Sequence, residues 1–171
     1  MKKICISLCL ILIIVLSAII FNKSAEKTEY LRIHIRANSN DPIDQNIKYQ
    51  IKDLVVLYLT PIIESATDKT DAMEKIEREK SAVNGLIDRY LYENHFSYRS
   101  KIDLRKEKFP TRVYNDLTLP EGVYDAVIIE LGNAEGDNWW CVVFPPLCFT
   151  EGEVKYRSVI AEFFNRLKQG G

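Results

Sequence analysis

The hydrophobic periodicity of the chain changes between residues 37 and 42, and this change limits the folds that the chain can adopt. From Tyr30 to Ala37, apolar and polar residues alternate, which predicts a half-buried β-strand. In the NSNDP turn that follows, Asp41 is a favourable N-cap and Pro42 suits the first helical position. Asp44 then falls in the first turn, where a carboxylate stabilises a helix. The pattern therefore predicts a strand followed directly by a helix.

Two long helices are predicted after this strand. The first carries one apolar face, widened by Val55 and Leu59, until Pro61 kinks or ends the helix. That face consists of Ile43, Ile47, Ile51, Leu54, Tyr58 and Ile62. The second helix starts at Asp71, and its apolar stripe consists of Met73, Ile76, Val83, Ile87 and Tyr90. Its charged middle, EKIEREKS, is typical of a solvated outer face.

Strand patterns follow these helices. Tyr98, Ile102 and Leu104 alternate with charged residues, and the connection FPTRVYNDLTLPEG over residues 109–122 is rich in turn formers. Val123 to Leu131 is the most apolar strand. The loop from Gly132 to Asn138 predicts a hairpin, in which WWCVVF pairs with the preceding strand.

The end of the chain completes the predicted fold. Pro145 and Pro146 end the last strand because neither can donate to a ladder. Thr150 and Glu153 resemble a capping box that opens a C-terminal helix. We predict an α+β fold: a mainly antiparallel sheet, with two long helices after the first strand and a C-terminal helix, the helices packing on one face.

The N-terminus is predicted to be a membrane-targeting segment. Lys2 and Lys3 precede an apolar run from Ile4 to Phe21, and this order sends the rest of the chain across the membrane. Two alternatives remain open for residues 1–25, a cleaved signal peptide and an uncleaved signal anchor. Residues 26–171 are predicted to form a single extracytoplasmic domain.

The net charge and the small number of metal-ligating residues argue against several classes of function. Without the three lysines of the leader, 20 basic and 24 acidic residues give a net charge of −4, which argues against a nucleic-acid partner. The two histidines are far apart and no paired Cys-x-x-Cys pattern is present, so we predict no metal and no cofactor. The close carboxylates Asp41 and Asp44 suit helix capping, and Glu135 and Asp137 suit a solvated loop.

The cysteine-containing stretch GDNWWCVVFPPLCF, residues 136–149, raises the question of thiol chemistry. A nucleophilic thiol would need His34, predicted to face solvent on the first strand, or His95, at a helix end. Redox pairs are usually Cys-x-x-Cys at a helix N-terminus, whereas Cys141 and Cys148 flank two prolines. We therefore predict that the chain is not an enzyme, and that these cysteines form a disulfide in an exported domain.

The adjacent tryptophans in this stretch constrain its surroundings. Trp139 and Trp140 are neighbours on a predicted strand, so their side chains point to opposite faces. At most one of them can enter the core of a one-sided sheet. Two environments are predicted for the other: it lies under the C-terminal helix, or it is an exposed anchor for a protein partner or a sugar.

Several segments together resemble the stage II sporulation protein R family of endospore-forming bacteria. They are RIHIRANSNDPIDQNIKYQIKDLV, FPTRVY, LPEGVYDAVIIELG and GDNWWCVVFPPLCF. The resemblance implies a signalling protein that is exported across the forespore membrane into the intermembrane space. There, members activate a membrane-embedded aspartic protease that processes pro-sigma-E. An uncleaved leader would leave the protein tethered to the membrane.

The resemblance suggests where a receptor would bind. The candidate contact residues lie in the tryptophan stretch and in the connection before it: Trp139, Trp140, Pro145, Pro146, Leu147, Phe109 and Tyr114. A second hypothesis from another class is a peptidoglycan-binding module or hydrolase, which would use an aromatic platform on glycan.

Overall fold

The computed structural model describes residues 30–148, in which two long helices lie against a four-stranded sheet and a short hairpin forms a separate two-stranded sheet. The leader and the predicted C-terminal helix lie outside the described residues. The elements in chain order are β1 Leu31–Arg36, α1 Pro42–Glu64, α2 Lys69–Glu93, β2 Ser100–Phe109, β3 Arg112–Tyr114, β4 Leu117–Leu119, β5 Gly122–Leu131 and β6 Asn138–Phe144.

The sheet has the strand order β2, β5, β1, β6. β1 runs parallel to β5, with Leu31 beside Asp125, whereas β2 is antiparallel to β5 and β6 is antiparallel to β1. Two of the three strand pairs are thus antiparallel. This arrangement confirms the predicted α+β class, with two long helices after the first strand and a mainly antiparallel sheet.

The predicted hairpin between β5 and β6 is wrong, because β1 lies between these two strands. The connecting loop passes over the end of β1, where the backbone N–H groups of Glu135 and Gly136 donate to the carbonyls of Asn38 and Ala37 at 3.2 and 2.9 Å. A tight hairpin turn joins adjacent strands, whereas this longer loop covers two strand spacings, about 10 Å.

Both helices begin at carboxylate caps. The Asp41 side chain accepts from the Ile43 N–H at 3.0 Å, as the sequence predicted, and α1 continues through Pro61 to Glu64. The helix ends three residues after this proline. α2 starts two residues earlier than predicted, since Asp68 is its cap and accepts from the Asp71 N–H at 2.9 Å.

The main core lies between the helices and one face of the sheet, here called the helix face. It receives Leu31, Ile33 and Ile35 from β1 and the apolar sides of both helices. The predicted apolar stripes are mostly buried, except that Ile43 in the first turn of α1 is 62% exposed. β1 itself was predicted to be half-buried, but its first five residues are all buried. Both faces of this central strand are covered.

The turn-rich connection after β2 contains a hairpin that sequence analysis did not predict. β3 and β4 pair as a separate two-stranded sheet, with Tyr114 opposite Leu117 and the turn residue Asn115 at a φ of 48°. The buried side chain of Leu119 and the half-buried side chain of Tyr114 attach this hairpin to the rest of the fold. It therefore contributes to covering the sheet.

A buried carboxylate joins the end of β1 to α1 and to the segment before β2. Asp44 accepts three hydrogen bonds of 2.7 Å, from Asn38 Nδ2, Ser39 Oγ and the Tyr98 hydroxyl. Burial alone would raise the pKa of Asp44, but these hydrogen bonds outweigh burial and hold the pKa below its usual value. The RANSNDPID segment is therefore a structural junction.

Two glycines let the loop after β5 pack onto this junction. Asn38 Oδ1 accepts from the Asn133 N–H at 2.9 Å, and a Cβ at Gly132 would lie 2.2 Å from that same oxygen. Gly132 also has a φ of +57°, which favours glycine. A Cβ at Gly136 would lie 2.1 Å from the Ser39 carbonyl oxygen. The junction requires glycine at both positions.

Candidate functional site

The sheet face opposite the helices, here called the second face, carries an unusual pair of buried polar residues. Strand alternation directs Arg32 and His34 away from the helices, and His34 lies beside Trp140 in the pairing of β1 with β6. Arg32 is 0% exposed and His34 is 1% exposed. The prediction that His34 faces solvent is therefore wrong, because aromatic side chains cover this face.

His34 lies within an aromatic cluster. Its ring stacks on Trp140 with centroids 3.6 Å apart, and Phe109 packs edge-on against Trp140 at 4.8 Å. Burial lowers the pKa of His34 to about 4, although the adjacent Asn138 amide and the carboxylates of Glu107 and Glu130 act in the opposite direction. The imidazole is therefore neutral at pH 7.

Arg32 lies beside this cluster and is also enclosed by aromatic rings. Its guanidinium carbon lies 4.2 Å from the centroid of Phe109 and 4.9 Å from that of Tyr124, distances at which cation–π attraction operates. Its Nη2 donates to the Tyr114 hydroxyl at 2.7 Å. Within the described residues, the Nε and Nη1 of Arg32 and both ring nitrogens of His34 have no hydrogen-bond partner.

The β3–β4 hairpin reaches this cluster from the side of β3. Tyr114 receives the Arg32 hydrogen bond, and the Arg112 guanidinium carbon lies 5.7 Å from the Trp140 ring centroid. These contacts place the hairpin over part of the second face. We call the set of Arg32, His34, Phe109, Tyr114, Tyr124 and Trp140 the Arg32–His34 site.

The two tryptophans point to opposite faces, as predicted. Trp139 lies beside Ile35 and packs against the main core, with Lys52 Nζ 5.9 Å from its ring centroid, whereas Trp140 belongs to the Arg32–His34 site. Both are partly buried, so neither is fully exposed as the anchor alternative required, and the C-terminal helix of the other alternative lies outside the described residues. The prediction assumed a one-sided sheet, but this sheet has buried side chains on both faces.

The structure bonds Cys141 to Cys148, with their Cα atoms 6.4 Å apart. Cys141 is fully buried in the main core on the edge strand β6, and the bond holds the following chain against that strand. Residues 145–148, here called the disulfide loop, begin with a cis Phe144–Pro145 peptide bond. A loop this short adds about 2 kcal/mol of stability in the chain-entropy account.

The remaining predicted contact residues have different environments. Pro145 is exposed, and Pro146, Leu147 and Tyr114 are partly buried. Phe109 is 0% exposed and supports the Arg32–His34 site from inside. The fold therefore brings Phe109, Tyr114 and Trp140 together, while the disulfide loop forms a separate part of the surface.

Arg32 and Tyr124 are site residues that were not predicted from the sequence. The alternation along β1 correctly predicts on which face of the sheet Arg32 lies. It does not predict that Arg32 is buried, because the residues that cover it come from distant segments. The sequence did contain a signal for Tyr124, because it lies in the most apolar strand and is therefore expected to be buried. A buried tyrosine hydroxyl usually has a hydrogen-bond partner. Its hydroxyl donates to the Pro120 carbonyl at 2.7 Å.

Three further observations concern the described part of the chain alone. Residues 30–148 contain no group of three or more histidine, cysteine or acidic side chains arranged to hold a metal ion. In the same range, neither helix is long and apolar enough to cross a membrane. Both cysteines in this range are bonded to each other, so neither is a free thiol.

The fold and the site define an α+β domain built around a buried arginine–histidine pair, with a disulfide at its edge strand. Residues 27–154 match the family described as stage II sporulation protein R. The chain is also 32% identical over 163 residues to stage II sporulation protein R of Bacillus subtilis (strain 168), covering 88% of this chain and 73% of that protein. The chain belongs to the stage II sporulation protein R family. No solved structure matches it significantly.

Proposed function

We propose that this protein is a sporulation signal that activates a membrane-embedded aspartic protease, which then processes pro-sigma-E. The observation that carries the proposal is the family match, which extends over residues 27–154 and includes the whole described domain. The apolar leader supports export from the forespore into the intermembrane space. The protein remains tethered there if the leader is not cleaved.

Activation of this kind requires selective binding. A ligand shifts an equilibrium only by its differential affinity for the two states, so this domain must bind the active state of the protease more tightly. We propose that it does so through the disulfide loop and the neighbouring edge strand β6. Pro145 is exposed there, and Leu147 and Trp139 each retain part of their surface.

The disulfide favours this surface as a contact site. It restricts the proline-containing loop before binding, so less conformational freedom is lost when a partner binds. Binding a partner would also bury the apolar surface of this loop, and removing apolar area from water is favourable. The proposed contacts are therefore Pro145, Pro146 and Leu147, with Trp139 beside them.

Co-expression tests the proposed activity directly. The full-length chain, the protease and pro-sigma-E would be produced together in a non-sporulating host, and processing of pro-sigma-E followed by immunoblotting. We expect processing that depends on this chain and on its leader. Unprocessed pro-sigma-E, with this chain exported and the protease present in the membrane, would contradict the proposal.

A pair of variants in the same assay tests the contact surface. Leu147→Asp introduces a charge into the disulfide loop and is expected to abolish processing without preventing export. Tyr92→Asp is the matched control, because Tyr92 is 80% exposed at the end of α2, away from β6. Normal processing with Leu147→Asp would exclude this surface. Retention of the wild-type chain on purified peptidoglycan would instead support the envelope-binding alternative.

A further inference from the structure

The Arg32–His34 site contains buried donors without acceptors. The Arg32 guanidinium is a cation, yet its Nη2 donates to the neutral hydroxyl of Tyr114, and its Nε and Nη1 have no hydrogen-bond partner within residues 30–148. A buried donor without an acceptor is destabilising, and more so when it is charged. Aromatic rings at 4.2 and 4.9 Å compensate in part but accept no conventional hydrogen bond.

The acidic side chains on the described second face are already paired elsewhere. Glu130 accepts from Arg36 and Arg105 at 3.0 Å each, and Arg105 also pairs with Glu107 at 3.2 Å. Arg105 lies level with Arg32 on the other side of β5, since both lie beside Ala126, but these ion pairs join Arg105 to Glu107 and Glu130. The three carboxylates of this network are Asp103, Glu107 and Glu130. Among these residues, no carboxylate forms an ion pair with Arg32.

The β3–β4 hairpin, which covers part of the second face, has little stability of its own and can separate from the sheet. β3 and β4 are three residues each and form their own two-stranded sheet, which is marginally stable without support. The hairpin is attached by the buried side chain of Leu119, by the hydrogen bond from Arg32 to Tyr114 and by the contact of Arg112 with Trp140. Displacement of the hairpin would expose the free donors of Arg32.

We propose that the Arg32–His34 site binds a carboxylate group, which enters beneath the β3–β4 hairpin and takes the free donors of Arg32. A carboxylate is acceptor-only and carries one negative charge, so it matches one guanidinium in an otherwise apolar enclosure. Neutral His34 supplies one ring N–H beside it. A phosphate dianion would leave excess negative charge in the same enclosure. This inference does not depend on the proposed signalling activity.

Trp140 provides a direct readout of occupancy, because it stacks on His34. The full-length chain in detergent micelles would carry Trp139→Phe, so that tryptophan emission reports on Trp140 alone. We expect a saturable change of emission with sodium acetate and none with sodium chloride at equal ionic strength. Inorganic phosphate should have no comparable effect. Absence of a saturable acetate response, or a response to phosphate alone, would overturn the proposal.

Variants assign the response to Arg32. Arg32→Gln should abolish the acetate response, while Arg99→Gln, at a side chain that is 87% exposed, should preserve it. If Arg32→Gln does not fold, Tyr114→Phe gives a second test that keeps the guanidinium. It removes the hairpin hydrogen bond and should tighten acetate binding several-fold. Unchanged or weaker acetate binding in Tyr114→Phe would contradict entry beneath the hairpin.

The same assay separates two sources of the carboxylate. Glu151 and Glu153 follow Cys148 closely in the sequence, and a partner protein is the other source. If this chain supplies the group, Glu151→Gln with Glu153→Gln should change Trp140 emission without acetate and tighten acetate binding. If a partner supplies it, these changes should leave the acetate titration unaltered. Both results support a carboxylate site, provided that the Arg32 dependence holds.

Discussion

Trp140 stacks on His34 across the pairing of β6 with β1, with ring centroids 3.6 Å apart and ring planes at 19°. The contact joins a strand near the start of the domain to the last described strand. It also keeps an imidazole out of water beside a buried guanidinium. The protonation of His34 is consequently linked to the stability of the fold.

We predict that His34 makes the protein less stable as the pH falls from 6.5 to 4. Its pKa in the folded state is about 4, below the ordinary value of 6.5, so the unfolded state binds more protons in this interval. The stabilisation is complete above pH 6.5, and at most about 3 kcal/mol is lost by pH 4. Urea unfolding at several pH values measures this loss.

His34→Phe should remove most of that pH dependence while retaining an aromatic ring against Trp140. His95→Asn is the control, since His95 is exposed and its φ of 64° suits asparagine. Equal slopes of unfolding free energy against pH in His34→Phe and the wild type would rule out this role for His34.

Asp44→Asn should destabilise the domain by about 3 kcal/mol, because a buried carboxylate that accepts three hydrogen bonds is replaced by a neutral amide. Asp41→Asn should change stability by less than about 0.5 kcal/mol, since aspartate and asparagine are equivalent N-caps. Chemical denaturation of the two variants provides the comparison. Similar losses of stability in both variants would show that the three hydrogen bonds to Asp44 contribute little to folding.

Gly136→Ala should disrupt the loop that crosses β1, because the new Cβ would lie 2.1 Å from the Ser39 carbonyl oxygen. We expect a loss of several kcal/mol or failure to fold, as for other severe steric conflicts in tightly packed regions. Gly85→Ala in α2 meets nothing within 4 Å and should stabilise the protein by about 1 kcal/mol. Thermal unfolding distinguishes the two, and a tolerated Gly136→Ala would show that the loop can move away.

Reduction of the disulfide should lower the free energy of unfolding by about 2 kcal/mol. Cys148→Ala should lower it similarly and make stability insensitive to reductant. The measurement is urea unfolding with and without dithiothreitol, combined with thiol titration of the unfolded chain. A wild-type protein whose stability does not respond to complete reduction would show that the bond contributes little to folding.

The elements that the sequence predicted well are those specified by local patterns. The alternation of β1, the cap at Asp41 and the apolar run of β5 each depend on neighbouring residues, and the structure places all three close to their predicted bounds. The start of α2 was missed by two residues, because Asp68 caps the helix and Asp71 lies in its first turn. Such small boundary errors are ordinary at helix ends.

The features that the sequence did not predict depend on distant segments. β6 pairs with β1 instead of its chain neighbour β5, and the backbone contacts over the end of β1 that allow this are not visible as a local pattern. The burial of Arg32 and His34 depends on Phe109, Tyr114 and Trp140, which follow them by many residues. The polar residues that alternate along β1 were therefore predicted to face solvent, although other side chains cover them.

The central position of β1 also determines the order in which this domain can fold. Both of its neighbours in the sheet come late in the chain: the pair of Arg36 with Glu130 is separated by 94 positions. Long-range strand pairing slows folding, since the intervening chain must be ordered before the contact forms. In the proposed export, β1 would cross the membrane before β5 and β6 and stay unpaired until they follow, so the finished sheet would form only near the end of export.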